Sequence, residues 1–125
     1  MTELPATTDK PHVRITHTPS GLLLAEGPLG WGVTGFEGNL YISAQYLRTD
    51  RLVLTPIPGI CFYKFVYLWM DLKLPAGGRS RMLGWKYVVP NPLFPFIAFR
   101  AALPRSHPEL DVVEFQPDAD PSRTG

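Results

Sequence analysis

A single cysteine, Cys61, stands in a chain of 125 residues, which excludes an internal disulfide and a zinc site built from cysteine pairs. Basic runs are missing too. Twelve Lys and Arg against eleven Asp and Glu leave a formal charge of +1, so no series of phosphates can be neutralised and bulk nucleic-acid binding is excluded. The longest apolar run, Phe65 to Met70, is far too short to span a bilayer, which argues against membrane insertion. The first ten residues are polar and lack an apolar h-region, so a cytoplasmic protein is expected. Metal chemistry is not expected either. His12 and His17 are an odd number of residues apart on an alternating segment, so they face opposite sides of a strand and cannot share an ion. The run Gly27-Pro-Leu-Gly-Trp-Gly has no lysine and no following helix. It is no phosphate loop, and its glycines suggest a mobile flap over a site. No cofactor is implied.

What the chain has in quantity is punctuation. Fourteen Pro and eleven Gly are too many breakers for a helical bundle and suit short strands with tight turns. With 45% hydrophobic residues there is apolar material for one core. The reading is mainly β: a single antiparallel β domain over residues 11–116, with one or two short helical turns, between flexible tails at 1–10 and 117–125.

In chain order, Val13 to Ala25 reads as a hairpin around Thr-Pro-Ser-Gly. Trp31 to Phe36 is a weak strand or an ordered loop, and Leu40 to Ser43 a short strand. Ser43 is placed to cap a helical turn through Gln45 to Leu47. Arg51 to Leu54 is a strand ended by Thr-Pro-Ile-Pro-Gly. Ser80 to Val89 is a strand with Arg81, Leu83, Trp85, Tyr87 and Val89 on one face. Gly84 within it suggests a bulge or a close backbone approach. Phe96 to Ala102 permits helix or strand, and Ala101, Ala102 and a polar Arg100 favour a helical stretch. Val112 to Phe115 is a last strand.

Ile60 to Leu74 is the most apolar stretch. Its β-branched and aromatic content, between Pro-Gly and Pro-Ala-Gly-Gly, predicts a continuous central strand covered on both sides. Lys64 is then a charge in the middle of an apolar strip. Buried alone, its ammonium would lose solvation, and its proton affinity would fall unless a carboxylate answers it. Such a lysine can act as an acid, a base or an amine nucleophile. The competing reading is a packed stem with a head that reaches the sheet edge or pairs with Asp71, Glu26 or Glu37.

The blocks Gly21 to Glu26 (Gly-Leu-Leu-Leu-Ala-Glu), Leu40 to Ser43 (Leu-Tyr-Ile-Ser), Cys61 to Tyr67 (Cys-Phe-Tyr-Lys-Phe-Val-Tyr), Gly84 to Pro92 (Gly-Trp-Lys-Tyr-Val-Val-Pro-Asn-Pro), Ile97 to Phe99 and Asp111 to Glu114 occur in this order. In that order and spacing the chain resembles the family catalogued as domain of unknown function 427. The resemblance implies a β-tent-like domain with strongly bent sheets, of the kind seen in methionine sulfoxide reductase B, without its zinc cysteines. It also makes Lys64 a recurring member of a Cys-Xaa-Tyr-Lys block. Phe62 and Phe65 stand where that family usually has Pro and Gly, and Gly59-Ile60 replaces its usual Thr-His. The neighbourhood of Lys64 is therefore more apolar than the family pattern.

These residues together point to a cofactor-independent isomerase or cyclase acting on a hydrophobic small molecule, in a biosynthetic pathway. Lys64, Tyr63 and Glu37 are the candidate catalytic groups. Phe62, Phe65, Tyr67, Trp69, Trp85, Tyr87 and Tyr41 are the candidate substrate-binding residues, because paired strands would bring the aromatic rings together as a platform. The same aromatic residues would also serve as plain core. Asp71, Glu26 and Asp50 read as solvated or turn residues, and Cys61 as core rather than a reactive thiol. The alternative function is a non-catalytic ligand-binding module, or a homodimer that buries Phe62, Phe65 and Trp69.

Overall fold

The computed structural model describes residues 11–61 and 65–117. It is mainly β, built of two antiparallel sheets. Six strands come first: β1 (His12–His17), β2 (Leu22–Pro28), β3 (Val33–Phe36), β4 (Asn39–Ile42), β5 (Leu52–Cys61) and β6 (Phe65–Lys73). Three more follow: β7 (Arg79–Pro90), β8 (Ala101–Pro104) and β9 (Leu110–Phe115). The smaller sheet has the order β2-β1-β9 and the larger β3-β4-β8-β7-β6-β5. Two short 3-10 turns, Ala44–Tyr46 and Pro95–Ile97, lie between the strands. No helix among them is long and apolar enough to cross a membrane.

Strand β1 shows how the sequence makes the sandwich. Val13, Ile15 and His17 are buried while His12, Arg14 and Thr16 are half-buried, the alternation that one covered face requires. Val13 and Ile15 belong to one buried cluster with Leu24, Ala25 and Leu110 of their own sheet and Val33, Leu40, Ile42, Leu72, Leu83 and Leu103 of the other. Full burial of each large aliphatic among them contributes about 1.5–3 kcal/mol. A second cluster, made of Tyr41, Tyr87, Ile97 and Ala102, lies outside this core, with Phe36, Tyr67, Trp85, Phe94 and Phe96 packed on it. Along β4, Leu40 and Ile42 enter the inter-sheet core and Tyr41 the outer cluster. The larger sheet is thus covered on both faces.

Several expectations are corrected. Ile60 to Leu74 is not one strand: Cys61 pairs with Phe65 in an antiparallel register, so the chain reverses between them. Phe62, Tyr63 and Lys64 lie outside the described residues. The tail expected at 1–10, and all but Pro117 of the one at 117–125, lie outside them too. β5 does not stop at Thr-Pro-Ile-Pro-Gly. It continues past Pro56 and Pro58 by a bulge opposite Trp69, which an edge strand tolerates because no further neighbour needs those N–H groups. Thr55 ties the bulge by donating to the Trp69 carbonyl at 2.9 Å and accepting from Ile57 N–H at 3.2 Å.

Phe96 to Ala102 is not helical. Only Pro95–Ile97 makes a 3-10 turn, Phe99 takes φ 58°, and Ala101 and Ala102 join β8 between β4 and β7. Helix propensity loses to the backbone pairing that the two neighbouring strands offer. Ser43 does precede a turn, but its side chain makes no capping bond. Nor are the glycines of Gly27 to Gly32 a free flap: Gly27 and Gly32 are buried, and a Cβ on either would come 2.6 Å from the Tyr46 ring. Tyr46 packs where those side chains are absent.

Candidate functional site

The aromatic residues of β6 and β7 do converge, because a bulge keeps them in register. Tyr67 pairs with Tyr87 and Trp69 with Trp85, and directly paired residues point to the same face. The row continues from Trp85 to Ala102, from Ala102 to Tyr41 and from Tyr41 to Thr34, crossing five strands on the outer face of the large sheet. Trp69 and Trp85 have ring centroids 5.7 Å apart at 75°. Tyr67 lies 5.4 Å from Trp69 and 5.2 Å from Tyr87, both edge-on. Phe36, Phe94 and Phe96 extend the cluster at 5.0–6.2 Å. The edge-to-face arrangement is the one that ring quadrupoles favour.

The segment after β7 covers one end of this face. Phe99 N–H donates to the Tyr87 carbonyl at 3.1 Å, holding Phe94, Phe96 and Ile97 over Tyr41 and Tyr87. Tyr41 and Tyr87 are therefore buried, whereas Tyr67, Trp69 and Trp85 form a half-buried shelf beside the cover. Trp85 Nε1 is buried and donates to nothing among the described residues. A buried donor left unpaired costs about 1–3 kcal/mol. Gly59 makes the shelf possible, since a Cβ there would overlap the Tyr67 ring.

Other expected residues are placed as follows. Phe65 is exposed at the start of β6 with φ 75° and pairs with Pro90. Glu37 is exposed and lies apart from the shelf, in the two-residue turn joining β3 to β4, where Glu37 and Gly38 both have positive φ. Asp71 is no solvated carboxylate. It is buried opposite the bulge Arg81–Leu83 in β7, where its Oδ1 accepts from Met82 N–H at 2.9 Å and Oδ2 from Arg79 at 3.4 Å. That bulge, with Met82 at φ 53°, breaks the period of β7, so Leu83 enters the inter-sheet core instead of joining Trp85. Glu26 is bonded to Arg14, its cross-strand partner, at 2.9 Å. Gly84 does mark a close approach, of Ala102 and Leu103.

No family model and no curated protein sequence matches the chain.

Two polar features were not visible in the sequence. Arg100 is only 9% exposed, with Nη1 donating to the Trp31 carbonyl at 2.5 Å and to Thr34 Oγ1 at 3.2 Å, and its guanidinium 4.6 Å over the Trp31 ring. No carboxylate among the described residues pairs with it, and burial lowers its pKa. The second feature is a chain of side chains at the opposite end of β1. His17, 1% exposed, contacts Ser20 Oγ through Nδ1 at 2.8 Å and Glu109 Oε1 through Nε2 at 2.9 Å. Ser80 donates to the same Glu109 oxygen at 2.7 Å. These bonds from His17 and Ser80 hold the Glu109 carboxyl below its ordinary pKa. Among the described residues, no group of three His, Cys, Asp or Glu is placed to hold a metal ion.

Proposed function

We propose that the half-buried aromatic shelf of Tyr67, Trp69 and Trp85 binds a flat, apolar small molecule that carries a hydrogen-bond acceptor. The observation that carries this reading is Trp85 Nε1, a buried donor with no acceptor among the described residues, set in a row of edge-on rings. Native structures rarely leave such a group unanswered. A carbonyl or enol oxygen of a ligand would answer it, while Tyr67 and Trp69 supply apolar contact. On this reading the protein is a cofactor-independent isomerase or cyclase, with Lys64 and Tyr63 as the proton-handling pair. Their flanking residue Phe65 lies two positions from Tyr67 on β6. Membership of the domain of unknown function 427 family is part of the same proposal, supported by the order of the quoted blocks.

The test is a thermal-shift and fluorescence screen of planar aromatic ketones on wild type, Trp85→Phe and Lys64→Met. Trp85→Phe keeps the ring contact and removes the N–H, so affinity should fall about tenfold, the worth of one hydrogen bond. Lys64→Met should bind the ligand and fail to turn it over. Undiminished affinity in Trp85→Phe, or turnover by Lys64→Met, would sink the corresponding part.

One observation favours an interaction module as the second reading. Ile60, Val66 and Val89 are cross-strand partners at the outer end of β5, β6 and β7, with Ile60 77% and Val89 54% exposed. Sedimentation of wild type against Ile60→Lys decides it, since only a dimer formed through this row would dissociate.

A further inference from the structure

We propose that Ser20, His17 and Glu109 form a second site, separate from the aromatic shelf, in which Ser20 is an acylatable nucleophile acting on small apolar esters. Donor and acceptor bookkeeping constrains the protons. An ionised Glu109 only accepts, so Ser80 Oγ–H and His17 Nε2–H both donate to its Oε1. In the neutral imidazole the proton is then on Nε2, and the lone pair of Nδ1 faces Ser20. Ser20 Oγ accepts the N–H of Leu22 at 3.2 Å, and its hydroxyl hydrogen is free to point at Nδ1. Hydroxyl, imidazole and carboxylate are thereby connected in the order that activates a serine, with the two ring nitrogens exchanged relative to the usual arrangement.

The backbone supports the same geometry. His17 ends β1, and its carbonyl accepts Gly21 N–H at 2.8 Å across the turn Thr18-Pro19-Ser20-Gly21, with Gly21 at φ 76°. This tight turn aims Ser20 back at the histidine three residues before it. Thr18 N–H donates to the Glu109 carbonyl at 2.9 Å, and Glu109 N–H to His107 Nδ1 at 3.0 Å, which anchors the carboxylate from the other chain segment. Ser20 also opens onto a hollow of about 280 Å³ that it shares with Pro19, Leu74, Pro75 and Ala76. The volume is at the lower end for small-molecule pockets, and the lining is apolar apart from Ser20, which suits a short acyl chain.

The step balances without an oxidant. Ser20 Oγ bonds to the acyl carbon as its proton passes to His17 Nδ1. The ester C–O bond breaks, and that proton goes to the departing alkoxide. Water then attacks the acyl carbon, giving a proton to Nδ1 that returns to Ser20 Oγ as the acyl–Oγ bond breaks.

The experiment treats the folded full-length protein with a fluorophosphonate probe and locates the adduct by peptide mass, alongside hydrolysis of p-nitrophenyl acetate. A phosphonyl adduct on Ser20 and burst release of nitrophenol are expected. Ser20→Ala should lose both, and His17→Gln should slow labelling at least hundredfold, the usual share of a general base. Glu109→Gln, which keeps the side-chain volume, should slow it less. Wild-type protein that stays unlabelled, or that labels at Ser80 instead, overturns the proposal, and neither result depends on how well a variant folds.

Discussion

Gly84→Ala tests the packing beneath the aromatic face. Gly84 lies in β7 beside Trp85, and a Cβ there would overlap the Ala102 carbonyl oxygen and come 2.9 Å from Leu103 Cδ2. The obstructing oxygen is backbone, so no rotamer change relieves it. β7 must move away from β8, to which it is joined by the pairs Trp85–Ala102 and Lys86–Ala101. Overpacking of this kind costs about 3 kcal/mol, the upper part of the usual range. Lower entropy of the unfolded chain offsets roughly 0.5–1 kcal/mol. The net loss is about 2 kcal/mol, and at about 4 °C per kcal/mol the melting temperature should drop by roughly 8 °C. Thermal unfolding followed by circular dichroism measures this. Gly35→Ala is the control, because its Cβ would meet only Leu40 Cδ2 at 4.0 Å. That variant should melt at or slightly above wild type. A Gly84→Ala protein melting within about 2 °C of wild type would refute the reasoning, as would an equal loss in Gly35→Ala.

Three further outcomes are expected. Leu72→Ala, which opens a cavity between the sheets, should cost about 2–5 kcal/mol in denaturant unfolding, and a loss below 1 kcal/mol would contradict its place in the core. Asp71→Ala should cost about 2 kcal/mol by stranding Met82 N–H, whereas Arg79→Ala should cost under 1 kcal/mol because its contact to Asp71 is long and half exposed. Glu109 is held below its ordinary value of 4.5 when folded, so the stability it lends is present above that value and fades as pH falls through the folded one. The melting-temperature gap between wild type and Glu109→Gln should therefore be open at neutral pH and narrow as the pH is taken below 4.5. A gap that stays constant with pH would show that the carboxylate's charge is not what the native state uses.

The sequence made some elements legible and hid others for identifiable reasons. The hairpin of β1 and β2 was readable because Val13 and Ile15 alternate with polar residues and Thr-Pro-Ser-Gly supplies the turn. β7 and its pairing to β6 followed from Pro-Ala-Gly-Gly. The reversal between Cys61 and Phe65 was hidden because Phe62, Tyr63 and Lys64 include none of the residues that usually mark turns, so two strands read as one. β8 was hidden because Ala101 and Ala102 favour helix locally, while in the fold they pair with β4 and β7 on either side. The aromatic shelf could be foreseen from period two and strand pairing, although the bulge that sets its register could not. The His17 network could not, since Glu109 is 92 residues away and only the pairing of β1 with β9 brings it close.

The alternation along β4 gives adjacent residues different dependencies. Tyr41 answers to the outer cluster, while Leu40 and Ile42 on either side answer to the inter-sheet core. On β8, Ala102 and Leu103 divide in the same way. Variation at Tyr41 and Ala102 can reshape the outer face while leaving the inner one intact, provided volume is conserved locally. Substitutions at odd or even positions of these strands therefore probe the outer cluster and the inter-sheet core separately.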